Sequence, residues 1–147
     1  MRGTFTHHNL DFSKDVLHLA DLGFKQISVE PVVAADTEEY AIREEDIPQI
    51  MEEYDALAKE MIAVGVQYFI VTDIAKDGTL SGVNLEQLKD LRDATEGKCS
   101  IIASGGVHTI ADIRGCKELG LYGTICGKSI YKGTLDLREA IALAEGV

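Results

Sequence analysis

The chain has 147 residues, 46% of them hydrophobic, which is enough for one buried core and short for two, so a single domain over residues 1–147 is expected. Its 25 acidic against 14 basic side chains, a formal charge of −11, set the bulk surface against nucleic acid and anionic lipid, so any phosphate must be held by a local arrangement. No run of about 18 apolar residues and no secretory leader pattern is visible, which predicts no membrane partner and a cytoplasmic location. Three cysteines (Cys99, Cys116, Cys126) without a Cys-x-x-Cys spacing predict reduced thiols rather than disulfides, and neither a metal site nor a cofactor is expected.

In chain order, strands are predicted near residues 2–6, 26–30, 67–72, 100–104 and 122–126, and helices near 13–22, 44–63, 85–95, 109–119 and 134–145. The basis is a recurring unit in which a helical stretch ends in glycine and an apolar run follows at once: "LADLG-FKQISV", "MIAVG-VQYFIV", "DATEG-KCSIIA" and "KELG-LYGTIC". Gly23, Gly65, Gly97 and Gly120 suit the left-handed residue after a helix end. The runs are apolar at nearly every position, the pattern of a parallel sheet covered on both faces. Asp11 or Ser13 can start the first helix, Asn84 with Gln87 the third, and Thr109 with Asp112 the fourth, while Pro48 is tolerated in the first turn of the second. The one long irregular stretch is "PVVAADTEEYAI".

Ligands of parallel α/β folds sit beyond the carboxyl ends of the strands. After the third strand stands "VTDIAKDGTLSG", with Thr72 at the strand end, Asp77 in an Asp-Gly turn, and Gly78, Thr79, Ser81 and Gly82 as a substrate-loop candidate. After the fourth stands "ASGGVHT", and after the fifth "ICGKSIY". Paired glycines at a strand end weaken both strand and helix unless the backbone must turn sharply or an anion must approach its N–H groups. Ser104, Gly105, Gly106, Gly127 and Lys128 could therefore hold one phosphate between two loops, with plain turn chemistry as the alternative. On this reading Gly106→Val abolishes phosphate binding and leaves the fold. Glu30, at the end of the second strand, is a lesser candidate general base. His7 and His8, adjacent on an extended chain, point to opposite sides and make a poor metal pair.

With these residues in view, the stretch from about residue 57 onward resembles the C-terminal portion of the histidine-biosynthesis isomerase that acts on phosphoribosylformimino-5-aminoimidazole carboxamide ribotide, a TIM-barrel family. The matching segments are "TDIAKDGTLSG", "IIASGGV" and "GKSIYKGTLDLREAIALA". The resemblance implies that Gly105, Gly106, Gly127 and Lys128 bind a substrate phosphate and that Thr72 and Asp77 belong to the active site. Residues 1 to about 60 look instead like a mid-barrel piece of a radical SAM peptide maturase, without that family's cluster cysteines, so no iron–sulfur chemistry carries over. A seam near residues 57–65 is implied.

The first-strand and fifth-strand aspartates of the isomerase family have no counterparts. The expected object is therefore a chimera of five βα units in an all-parallel sheet, a partial TIM barrel that self-associates as a homodimer or higher homo-oligomer, with an open flavodoxin-like sheet as the alternative arrangement. It keeps a platform for phosphate or a phosphorylated sugar without efficient catalysis. The alternative function is a sugar-phosphate isomerase, an aminoaldose–ketose isomerase of histidine biosynthesis completed by oligomerisation or a partner.

Overall fold

A computed structural model describes residues 1–146 and divides them into two compact units, Met1–Val64 and Gly65 onward. The architecture is α/β with parallel strands throughout and no closed barrel. The described strands pair as a two-stranded and a three-stranded sheet rather than as the single five-stranded sheet expected from sequence.

In the first unit, β1 (Arg2–Phe5) pairs in parallel with β2 (Ser28–Pro31), Phe5 lying opposite Pro31. Helix α1 (Phe12–Asp21) crosses between them and buries Phe12 and Val16. The Phe5 and Phe12 rings stack with centroids 4.2 Å apart, and Tyr54 of α2 (Ile47–Ala63) completes the cluster at 4.9 Å from Phe12. Burial, reinforced by the nearby Glu30 charge, pushes the Tyr54 hydroxyl up to about 12. The predicted second helix begins as a 3-10 turn at Glu44–Asp46, because the Asp46 carboxylate folds back to accept the Arg43 N–H at 2.9 Å. Pro48 then sits in the first turn of α2, where its missing N–H costs nothing.

In the second unit, β3 (Tyr68–Thr72), β4 (Ser100–Ser104) and the two-residue β5 (Gly123–Thr124) lie side by side in that order. Helices α3 (Leu85–Ala94), α4 (Ile110–Glu118) and α6 (Leu137–Glu145) follow the strands. Asn84 caps α3 by accepting from the Gln87 N–H, and Asp136 caps α6 by accepting from Arg138 and Glu139. A four-residue helix, α5 (Lys128–Tyr131), follows β5 and was not predicted: one turn is too short to establish a 3.6-residue period. Gly23, Gly65, Gly97 and Gly120 all have positive φ, as a left-handed helix end requires.

Period-two alternation decides which strand residues meet the helices. Ile101 and Ala103 are buried with Leu88 and Cys116, with Val71 packed alongside, while Val107, Ile113, Leu135 and Ala140 form a second cluster. Leu88 is 4% exposed, so Leu88→Ala is expected to cost about 2–4 kcal/mol, read as a lower urea midpoint at unchanged slope. The opposite face is not covered as the sequence pattern suggests. Tyr68 (51%), Ile70 (63%) and Tyr122 (65%) are exposed, with the two tyrosine rings 5.1 Å apart. The strands read as apolar on both sides because one side meets helices; the other is an apolar sheet face open to solvent.

Candidate phosphate and acid–base site

The loops after β3, β4 and β5 meet at the carboxyl end of the three-stranded sheet. Thr72 is the last residue of β3 and lies in register with Ser104, the last of β4; Asp73 then donates its N–H to Ser104 O at 3.0 Å. Gly105 and Gly106 follow, both buried and both at positive φ, +89° and +77°. An added Cβ at Gly105 would lie 2.6 Å from Asp73 O, and one at Gly106 would lie 2.3 Å from Gly82 O. The Gly82 N–H donates to Gly106 O at 3.0 Å. The glycine pair is thus required by close backbone approach of the neighbouring loop as well as by φ. This corrects the expectation that Gly106→Val would leave the fold intact: the position has no room for any side chain.

Of the two carboxylates after β3, Asp73 is occupied by structure. Its Oδ1 accepts the Lys76 N–H at 3.2 Å and its Oδ2 accepts from Asn84 Nδ2 at 3.3 Å, which ties the loop to the start of α3. Asp77 is exposed at the tip and its carboxylate has no partner among the described residues. Thr79 Oγ1 donates to Lys76 O at 2.7 Å and shares a hydrogen bond with Ser81 Oγ at 2.7 Å, so this pair shapes the loop, and Gly78 lies at its crest. Lys128 reaches across from the start of α5 and donates its ammonium to Gly78 O. Gly127 is the exposed residue before α5. Next to Lys128, Ser129 Oγ is fully buried with no hydrogen-bond partner, the one such side-chain atom among the described residues.

Asp112 holds this assembly together and was read from sequence only as part of a helix start. Its carboxylate accepts the N–H groups of Thr109 (2.8 Å), His108 (3.1 Å) and Val83 (3.2 Å), fastening the turn after Gly106 to the end of the β3 loop. Partial burial raises its pKa, but these backbone N–H groups together outweigh that and hold it below the ordinary carboxylate range. A carboxylate whose folded pKa is depressed contributes stability that is present above its unfolded value of about 3.9 and is lost as pH falls through the folded value. Asp112→Ala is expected to cost about 2 kcal/mol at neutral pH and to lose less on acidification than the parent, measured by urea unfolding at pH 7 and pH 3.

Glu30 lies in the first unit, where Arg2 and Ser28 both donate to it and hold its carboxyl below the ordinary range, Arg2 contributing most. That engagement suits an exposed strand-pairing ion pair more than a proton acceptor. His7 and His8 are not on extended backbone. They lie on the turn after β1, with ring centroids 5.4 Å apart, and His7 Nδ1 contacts Asp46. Among the described residues no helix is long and apolar enough to cross a membrane, and the cysteines are free thiols.

Parallel strands followed by helices, with the loops interlocked at the strands' carboxyl ends, are the arrangement of α/β folds of the barrel class. The chain belongs to the histidine biosynthesis protein family, whose model matches residues 10–136. That match runs through most of the stretch likened above to a radical SAM maturase, so the two-source reading gains no support from it.

Curated relatives agree. The 1-(5-phosphoribosyl)-5-((5-phosphoribosylamino)methylideneamino) imidazole-4-carboxamide isomerase of Clostridium botulinum strain Okra is 51% identical over 90 residues, 61% of this chain and 36% of that one. The isomerase of the same name from Clostridium kluyveri is 51% identical over 90 residues, 61% of this chain and 37% of its own length. That of Clostridium novyi is 46% identical over 92 residues, 63% and 38%. The chain thus spans little more than a third of the length of these relatives.

Proposed function

We propose that this chain carries the phosphate-gripping end and one acid–base group of an aminoaldose–ketose isomerase of histidine biosynthesis, completed by self-association or a partner. The interlocked loops carry this reading. Gly105 and Gly106 lock the neighbouring loop against this turn, Gly127 has open space in which an anion can approach backbone N–H groups, and Lys128 supplies the positive charge. A chain of net charge −11 concentrates its anion affinity where such donors converge.

The isomerisation of an aminoaldose opens a sugar ring, which requires an acid at the ring oxygen, and then moves a proton from C2, which requires a base. Asp77, free of partners at the loop tip, can exchange a proton with the substrate, and the Thr72 hydroxyl at the strand end can orient it. Gly82 fastens the loop to Gly106, and Thr79 and Ser81 brace it. The opposing acid–base group lies outside these loops. The apolar sheet face bearing Tyr68, Ile70 and Tyr122, together with the unpaired outer edges of β3 and β5, gives further strands a surface to complete.

Complementation of a histidine auxotroph lacking the isomerase tests the catalytic part: growth restored by this chain and lost with Asp77→Asn supports it. Failure at high expression, with phosphate binding intact, would leave a phosphate platform without turnover.

A further inference from the structure

The first unit holds a second constellation, independent of the isomerase reading. β1 ends at Phe5 and the chain turns at once, which delivers His7 to the carboxyl end of the β1–β2 pair. The His7 N–H donates to Tyr40 O at 3.1 Å and fixes the residue against the long irregular loop. Its Nδ1 lies 2.8 Å from Asp46 Oδ2 and 3.0 Å from Oδ1. The Asp46 side chain is only 6% exposed and also accepts the Arg43 N–H at 2.9 Å. The Arg43 N–H first, then His7, hold this carboxyl below its ordinary pKa, so it stays ionised and accepts only.

An acceptor at that position demands a proton on Nδ1. The neutral ring that meets the demand has its lone pair on Nε2. The His7 side chain is 25% exposed, and Nε2 has no hydrogen-bond partner among the described residues. The groups facing the ring are Asp46 and Arg43 from the 3-10 turn and its margin, His8 alongside, and Glu39, 4.0 Å from His8. Residues 1–60 carry fourteen acidic and five basic side chains, a field that repels anions.

We infer that His7, with Asp46 as its positioning residue, is a nucleophilic and proton-accepting centre for neutral or cationic esters and related acyl compounds. With such an ester, Nε2 attacks the carbonyl carbon and the carbon–oxygen bond to the leaving alcohol breaks, the oxygen taking the electron pair. The leaving oxygen takes its proton from solvent, and the acyl-imidazolium keeps its Nδ1–H on Asp46 until hydrolysis releases a proton to solvent. Water then attacks the acyl carbon, releasing the carboxylic acid and restoring the Nδ1–H imidazole.

The probe is p-nitrophenyl acetate, with p-nitrophenol release followed from pH 5 to 9. The whole chain is expected to release it at a rate that rises as imidazolium loses its proton. His7→Gln is expected to lose at least about tenfold and Asp46→Asn about tenfold. His18→Gln and His108→Gln are expected to match the parent, and anionic p-nitrophenyl phosphate to remain intact. A rate unchanged in His7→Gln, or an equal loss in His18→Gln, would overturn the assignment. Should His7→Gln fail to fold, nitrogen NMR of the parent chain decides: an unprotonated Nε2 in neutral His7 supports the centre, and a protonated Nε2 overturns it.

Discussion

Gly106→Ala is expected to destabilise the chain by about 2–5 kcal/mol, a loss measurable as a marked drop of the urea midpoint. Two independent terms give this figure. A non-glycine residue held at φ +77° costs about 1–2 kcal/mol, and a methyl group driven to 2.3 Å from Gly82 O forces backbone displacement worth about 1–3 kcal/mol more. The displaced group is backbone, which cannot swing aside as the end of a long side chain can. Gly127→Ala is the matched control, since a Cβ there meets nothing within 4 Å and φ is negative. Its stability should stay within about 1 kcal/mol of the parent. A Gly106→Ala variant as stable as Gly127→Ala would show that the loops do not interlock.

Asp77→Asn is expected to leave stability unchanged, because the carboxylate is exposed and makes no contact, while lowering the proposed isomerase turnover of the completed assembly by about 10²–10⁴. Asp73→Asn provides the contrast. Asp73 accepts from Lys76 and Asn84 within its own loop, so its loss should appear first in stability. Kinetics of the two variants separate the loop's chemistry from its scaffolding: a turnover loss confined to Asp73→Asn would exchange the two roles.

Much of this arrangement is legible in the sequence because it is local. The helix ends announced by Gly23 and Gly97, the Asn84 and Thr109 starts, and the apolar runs ending at Thr72 and Ser104 are signals read within a few residues of one another. What the sequence hides is separated along the chain. His7 and Asp46 lie 39 residues apart, and Lys128 and Gly78 lie 50 apart, so neither pair leaves a periodic trace. The role of Asp112 was half visible. Its contact with Thr109 is a short-range helix start, but its hold on Val83 spans 29 residues and exists only once two loops have packed. The open sheet face was misread for a related reason: Tyr68 and Ile70 are apolar whether a strand is covered on one side or two, and hydrophobicity alone does not say what covers them.

The most direct test of the central reading is a calorimetric titration of the chain and of Lys128→Ala with the isomerase's bis-phosphate substrate, with turnover followed in the same samples. Saturable binding that weakens at least about tenfold in Lys128→Ala is the predicted result, the loss of one charge-assisted phosphate contact. No saturable heat at about millimolar ligand, or identical affinity in the two proteins, would contradict it and leave the glycine loops as packing and turn chemistry alone.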